Sequence, residues 1–328
     1  MRKKIHKILV TGGAGFIGSA FVRLLLKGGA DVNENLPELA VVDKLTYAGD
    51  LARLQGVEGK YKFYKTDICD KKSIGAIFNK EKPDILVNFA AETHVDRSIN
   101  DASAFIETNI RGVHILLEAS RRYKIKRFYQ ISTDEVYGDI MQGGFNEASP
   151  LKPNSPYAAS KAAADLLIKS YIRTYNFPAV ILRPCNNYGP WQYPEKLISV
   201  IINNAINSRR VPVYAKGWNV REWIYVTDCV EAIFLLLNKA KAGEIYNIGS
   251  GHHEKNIDVV KQALRILKKP FGLIEFVKDR PGHDFRYSLD SSKIKKLGWR
   301  PKVDFLSGLQ NTVAWSIANY GWLLDKEK

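Results

Sequence analysis

The sequence predicts an α/β fold: a doubly wound parallel (Rossmann) sheet with a smaller, partly interleaved C-terminal lobe. Three observations predict it. Apolar strand-like runs alternate with helical stretches over roughly the first 180 residues, the pattern of a parallel sheet with crossover helices. The first run leads straight into Gly12-Gly-Ala-Gly-Phe-Ile-Gly18. The fifth, Arg127-Phe-Tyr-Gln-Ile-Ser132, delivers the adjacent acids Asp134 and Glu135. Neighbouring residues of a strand point to opposite faces, so two adjacent acids serve one site only where the chain leaves the sheet. In open α/β sheets that carboxyl edge is where ligands bind.

Taken in order, residues 7–11 form the first strand and a helix runs from the glycine stretch to about Lys27. A longer polar connection, 28–38, precedes the second strand at 39–43. Residues 61–65 are the third strand, followed by a helix from about Asp70. Residues 84–89 are the fourth, and an apolar-periodic helix spans 102–123. After the fifth strand, a helix over 156–175 leads to the sixth at 179–183. Beyond Pro184 helical stretches at 195–207, 228–239, 256–268 and 305–318 alternate with short strands such as 211–214 and 245–248. Turn signals become frequent there. The division this suggests is a dinucleotide-binding domain over 1–190 and a second lobe over 191–328.

Composition narrows the function classes. Hydrophobic residues make up 45% of the 328 and charged residues 25%, enough apolar material for a sizeable core. No apolar run reaches membrane-spanning length, and Ile8-Leu-Val10 is too short for a signal core, so a soluble, cytoplasmic protein is expected. The three cysteines, Cys69, Cys185 and Cys229, have neither disulfide nor metal-ligand spacing, and the pair His252-His253 lacks an i, i+4 relation. No metal is expected, and these histidines read as surface loop. The net charge of +15 is dispersed, without an aromatic-interleaved basic block, which argues against nucleic acid and suits an anionic small substrate.

Two constellations carry chemistry. Gly12, Gly15 and Gly18 lie between a strand and a helix, where glycines allow a tight turn and backbone N–H groups can face a pyrophosphate. Asp43 ends the second strand, where an acid can accept hydrogen bonds from an adenosine ribose diol. That placement favours NAD over NADP. Asp67 after the third strand is open to two readings, adenine-side residue or helix N-cap. In Ser155-Pro-Tyr157-Ala-Ala-Ser-Lys161, Asn154 or Ser155 can cap the helix. Tyr157 and Lys161 then share one face at i and i+4. An ammonium and a nicotinamide cation near Tyr157 would lower its pKa from about 10.

The glycine stretch with Tyr157-x-x-x-Lys161 resembles the extended short-chain dehydrogenase/reductases. More specifically, Phe89-Ala-Ala-Glu-Thr-His-Val-Asp-Arg-Ser98, Ser132-Thr-Asp-Glu-Val-Tyr-Gly138, Asn186-Asn-Tyr-Gly-Pro190, Pro194-Glu-Lys-Leu-Ile198 and Asp279-Arg-Pro-Gly-His-Asp284 resemble the dTDP-glucose 4,6-dehydratases, in order and over nearly the whole chain. The resemblance implies that Phe16, Ile17, Asp43, Lys44, Leu45, Thr46, Asp67, Ile68, Phe89, Ala90, Ala91, Thr108, Tyr157, Lys161 and Asn187 hold NAD. It implies that Thr93, Thr133, Asn186, Lys196, Leu197, Pro212, Val213, Tyr214, Arg221, Asn256, Asp279, Arg280, Pro281, Gly282 and His283 line a nucleotide-sugar site. Thr133 would bond the sugar's C4 oxygen, Tyr157 would remove its proton, and Asp134 and Glu135 would be acid and base of an elimination. A homodimer built on the 102–123 and 156–175 helices and a place in dTDP-rhamnose biosynthesis are further implications. Departures from the family pattern are Thr93 for Ser, Ala215-Lys-Gly217, Val220-Arg-Glu-Trp223 and Phe285. They fall mainly in the nucleotide half and leave dTDP against UDP open.

The chemistry gives the acid pair a reason. A hexose C5–H is not acidic until C4 is a ketone; a carboxylate such as Glu135 can then remove it while a protonated Asp134 gives its proton to the departing C6 hydroxyl. Two close carboxylates split their pKa values, which keeps one protonated. Within the same fold, a nucleotide-sugar 4-epimerase or UDP-glucuronate decarboxylase would share the glycine loop and the Tyr/Lys pair, yet by resemblance lack Asp at the position of Asp134. A non-catalytic NAD-binding regulator would have no need for the Tyr157, Lys161, Asp134 and Glu135 set.

Overall fold

The computed structural model describes residues 5–27 and 37–326; most of the polar 28–38 connection and the basic Met1 to Lys4 stretch lie outside them. Six strands occur where the hydrophobic runs place them: β1 Lys7–Thr11, β2 Glu38–Asp43, β3 Lys62–Lys65, β4 Ile85–Asn88, β5 Arg127–Ile131 and β6 Ala179–Pro184. Later in the chain come β7 Asn186–Tyr188, β8 Val211–Tyr214, β9 Val220–Tyr225, β10 Ile245–Ile248, β11 His253–Lys255 and β12 Ile274–Val277. The large sheet has seven parallel strands in the order β10-β6-β5-β4-β1-β2-β3. Its strand order reverses between β1 and β4, the topological switch point that opens a crevice at the carboxyl edge.

Period-two alternation sends the strand side chains into two cores, one on each face. Ile8, Val10, Val41, Val87, Tyr129 and Val180 pack with Phe21, Ile233 and Leu236 on one side. Leu9, Val42, Leu86, Phe128 and Ile181 pack with Phe78, Leu116 and Ile168 on the other. The strand Ile245–Ile248, read from the sequence among the short strands beyond residue 190, is the seventh strand of the main sheet. It pairs with β6 in register Ile245↔Ile181, and the Val226–Lys239 helix before it covers the same face as the Phe16–Lys27 helix. A four-residue apolar run carries no information about which sheet it joins. A third core, of Ile198, Ile201, Val211, Trp223, Val260, Phe305 and Leu309, belongs to the smaller lobe with its sheets β11-β9-β7 and β12-β8.

The helix expected over 102–123 contains a π-helical stretch, Ile106–Gly112, between Ser103–Phe105 and Val113–Arg122. At its centre Asn109 turns inward, donating to Glu92 O and Ser160 Oγ and accepting from Glu92 N. Asp70, not Asp67, caps the Lys71–Glu81 helix. The surface-loop reading of His252-His253 holds only in part: His252 lies in the loop before β11, half-exposed and stacked on Phe305 at 4.8 Å, whereas His253 opens β11, its Nε2 3.0 Å from Ser288 Oγ. No helix among the described residues is long and apolar enough to cross a membrane.

Candidate active site

Three strand ends build the site. After β1, the chain turns at Gly12 with φ +68°, packed so closely on the end of β4 that a Cβ there would sit 2.5 Å from Ala90 N. A Cβ on Gly18 would collide with Gly12 O, so the helix can start this near the turn only without side chains. The Ala14 peptide is held from both sides. Its N–H donates to Asp43 Oδ2 at 2.9 Å; its carbonyl accepts from Asp50 N and from Arg53 Nη1 at 3.1 Å. The other Asp43 oxygen accepts from Leu45 N at 2.8 Å, and burial raises the carboxyl's pKa against these bonds. Asp67 pairs with Lys44 at 2.6 Å and accepts from Cys69 N, which sets the chain leaving β3 beside the chain leaving β2. At the end of β4, Asn88 joins Thr11 to Gln130, tying three neighbouring strands together beneath Phe89, Ala90 and Ala91.

At the end of β5, Thr133 leaves the sheet in extended conformation and caps a 3-10 turn, Asp134–Tyr137, accepting from Glu135 N. The turn faces both acids into the crevice. Asp134 is 3% exposed; its Oδ1 accepts from Thr133 Oγ1 at 3.1 Å, while Oδ2 has no partner. Burial, then the charges of Glu135 and Glu222, hold its pKa well above the usual carboxylate value. Burial also raises Glu135, but Arg280, Arg221 and Lys196 pull it back. The pair therefore divides as two close carboxylates should, with Asp134 the better candidate to carry a proton.

Ser155 caps the Pro156–Tyr175 helix, accepting from Ala158 N, with Pro156 in the first turn. This brings Tyr157 and Lys161 to the same crevice. Thr133 lies beside the Tyr157 phenol and acts to lower its pKa. The phenol's pKa is raised by burial and by Glu135, the reverse of the direction expected from a neighbouring ammonium. Lys161 does not offset this: its Nζ donates to Ile131 O at 2.6 Å, at the end of β5. Burial lowers that ammonium's pKa to about 8, against the pull of Asp165 one turn further on.

The smaller lobe closes over the acids. Arg221 on β9 donates to Asp284 O and Phe285 O and lies 4.3 Å over the Tyr287 ring. Tyr287 Oη donates to Asp284 Oδ2 at 2.5 Å and stands 3.5 Å from Glu135 Oε2. Lys196 Nζ reaches across to Thr93 O at 2.7 Å. Asp96 receives Tyr214 Oη at 3.1 Å and lies 3.4 Å from Arg280, while His283 meets Asp279 at 2.6 Å. Among the residues expected to hold ligands, Asn186 Oδ1, Asn187 Oδ1, Asn256 Oδ1 and Arg280 Nε are buried polar atoms without a partner. Val213 differs from its neighbours Pro212 and Tyr214, its side chain lying in the third core. Sequence reasoning does not single out Arg53, Glu222, Asp284 or Tyr287. Of these, Asp284 falls inside the Asp279–Asp284 motif and Glu222 inside the departure Val220-Arg-Glu-Trp223. Among the described residues no group of three His, Cys, Asp or Glu could hold a metal ion.

The glycine cradle, the Asp43 carboxylate and the orphaned Asn187 Oδ1 fit a dinucleotide. A family model described as GDP-mannose 4,6 dehydratase matches residues 9–312. A dTDP-glucose 4,6-dehydratase of Streptomyces niveus is 47% identical over 319 residues, covering 96% of this chain and 94% of its own. The crystal structure of DesIV, a dTDP-glucose 4,6-dehydratase from Streptomyces venezuelae solved with NAD and dTDP bound, superposes with a TM-score of 0.94 at 46% identity, over 98% of this chain and 99% of that one. A UDP-glucose 4-epimerase of Thermus thermophilus shares the fold at TM-score 0.87 but only 33% identity, over 95% of this chain and 99% of its own. With the Thr133-Asp134-Glu135 turn facing Tyr157, the chain belongs to the dTDP-glucose 4,6-dehydratase family of NAD-dependent lyases.

Proposed function

We propose that this chain converts dTDP-glucose to dTDP-4-keto-6-deoxyglucose by oxidation at C4, loss of water across C5 and C6, and reduction at C6. The observation that supports it is the buried cluster of Thr133, Asp134, Glu135 and Tyr157, whose two acids have unequal surroundings. Residues 1–190 would hold the dinucleotide, through Gly12, Gly15, Gly18, Asp43 and Asn187 among others, and 191–328 would supply the nucleotide-sugar lobe, partly interleaved with the first through the Val226–Lys239 helix and β10. Bound NAD supplies the oxidant and a positive charge that a phenol raised by burial needs before acting as a base; it ends oxidised, so the net reaction is a dehydration. Thr133 holds the C4 oxygen and Tyr157 takes its proton. Glu135 removes the C5 proton once C4 is a ketone, and Asp134 gives its proton to the leaving C6 hydroxyl. Arg221, Arg280 and Lys196 bring cationic charge to the side where a diphosphate would lie. A cytoplasmic setting and a place in dTDP-rhamnose biosynthesis accord with this reading.

Product analysis tests it directly. Incubation with dTDP-glucose should yield the 4-keto-6-deoxy sugar, seen by mass spectrometry as loss of one water, with UDP-glucose turned over more slowly. A C4 epimer without loss of water, or no product from either sugar, would remove the proposal.

The assembly we infer is a homodimer. Ile106, 54% exposed at the π-helical stretch, and Leu166, 55% exposed on the Tyr157 helix, are large apolar side chains facing solvent in the isolated chain. Two such helices from each copy would bury them in an isologous interface. Light scattering at micromolar concentration should return twice the chain mass; a clean monomer would count against it.

A further inference from the structure

We propose that the C-terminal helix Tyr320–Asp325, with Lys326 after it, is a clasp that positions the dinucleotide loop, so that Trp322 and Lys326 are positioning residues for the cofactor. The helix contributes little to the core, since Leu323 is its only buried residue. Tyr320 Oη donates to Asn207 Oδ1, and the Trp322 ring packs against Trp191 at 5.2 Å and Trp315 at 5.6 Å; the remaining polar attachments converge on the loop after β2. Trp322 Nε1 donates to Asp50 Oδ2 at 2.7 Å, and Lys326 Nζ pairs with that same oxygen at 2.7 Å. The Lys326 carbonyl accepts from Tyr193 Oη at 3.2 Å, which anchors the end of the clasp on the substrate side.

Asp50 passes this hold directly to the glycine turn, because its own N–H donates to Ala14 O at 3.0 Å. A second path runs through Arg53. Its guanidinium lies 5.1 Å over the Trp322 ring and donates from Nη1 to the same Ala14 carbonyl at 3.1 Å. Arg53 is 1% exposed, its Nε is spent on Trp191 O at 2.9 Å, and its Nη2 has no hydrogen-bond partner. Nη1 also donates to Ala48 O, and the Trp322 ring face adds a cation–π hold to a buried guanidinium that is still short of one partner. The Ala14 peptide is thus fixed on its carbonyl side by two groups that both lean on Trp322, and on its N–H side by Asp43. Loss of the clasp would free the turn to adopt other shapes. The dinucleotide would then have to bind a conformation populated only part of the time, and apparent affinity falls by that fraction.

The proposal rests on the dinucleotide site and not on the sugar reaction, so it is tested without turnover. Apoprotein is titrated with NAD and, separately, with dTDP, by calorimetry, for wild type, Trp322→Ala, Trp322→Phe and Lys326→Met. Trp322→Ala should weaken NAD by about tenfold and reduce the NAD retained on purification, as expected when a charge-assisted hydrogen bond and a ring face are lost together. Trp322→Phe keeps a ring over Arg53 and should fall between wild type and Ala; Lys326→Met should give a smaller loss that shrinks as salt is raised. In all three, dTDP affinity should change less than NAD affinity, and turnover at saturating NAD and sugar should stay near wild type. If Trp322→Ala does not fold, Trp322→Phe and Lys326→Met carry the test. NAD affinity unchanged in every folded variant, or NAD and dTDP weakened by the same factor, would overturn the proposal.

Discussion

Glu135→Gln should give a protein that oxidises its sugar and goes no further. The amide keeps the size of the side chain and its place near Tyr287 Oη, 3.5 Å away in the parent, but it cannot accept the C5 proton. Burial raises the pKa of Glu135, and the cationic Arg280, Arg221 and Lys196 restrain that rise in favour of the carboxylate. Loss of a positioned base costs about 10²–10⁴-fold in rate. On adding dTDP-glucose, the absorbance of reduced cofactor should therefore appear and persist, and no deuterium should enter C5 from heavy water. Tyr157→Phe provides the contrast. It removes the group proposed to take the C4 hydroxyl proton, so little reduced cofactor should form at all. A Glu135→Gln protein that makes product at near wild-type rate would exclude Glu135 as the base.

What can be seen in the sequence is whatever the chain does locally. The glycine turn is legible because Gly15 and Gly18 answer to Gly12 O within the turn itself, even though Gly12 also answers to Ala90 at the end of β4. The Asp134-Glu135 pair is local because one 3-10 turn faces both acids, and Ser155 to Lys161 because one helix cap and one helical repeat set them. Residues whose partners lie far along the chain leave no such trace. Arg53 acquires its role from Trp191 and Trp322, and Tyr287 from Glu135. Glu222 is fully buried because Gly251 N and Leu289 N both donate to it. The direction of the Tyr157 pKa escapes the sequence for a related reason. Spacing puts Lys161 on the same helix face but cannot say that its ammonium is taken up by the Ile131 carbonyl. The membership of β10 in the main sheet follows from long-range pairing with β6, which a four-residue run cannot announce.

Asp134→Asn should separate the two halves of the elimination. In the parent, Asp134 has burial and the neighbouring charges of Glu135 and Glu222 all acting against ionisation; Thr133 and Arg221 oppose them less strongly. Its Oδ2 lacks a partner inside the protein, so the site leaves one carboxyl atom free for the sugar. A carboxyl held neutral at that point is a proton donor, and an amide of the same shape can hydrogen-bond a hydroxyl but cannot protonate it as it leaves. Oxidation at C4 and removal of the C5 proton by Glu135 need no proton from residue 134. The variant should therefore form reduced cofactor and exchange C5–H with heavy water, while release of the C6 hydroxyl falls about 10²–10⁴-fold. The pH dependence follows the same logic. Because the folded-state pKa is raised, the acid is competent below it and is lost as pH rises through it, so the parent's elimination rate should fall on the alkaline side. In Asp134→Asn that fall should disappear from the slow residual rate. Glu135→Gln, by contrast, blocks C5 exchange itself, and the two variants therefore differ in one measurement, deuterium at C5 of recovered sugar. If Asp134→Asn loses C5 exchange and elimination together, Asp134 is not the separate acid, and the two carboxylates act as one unit.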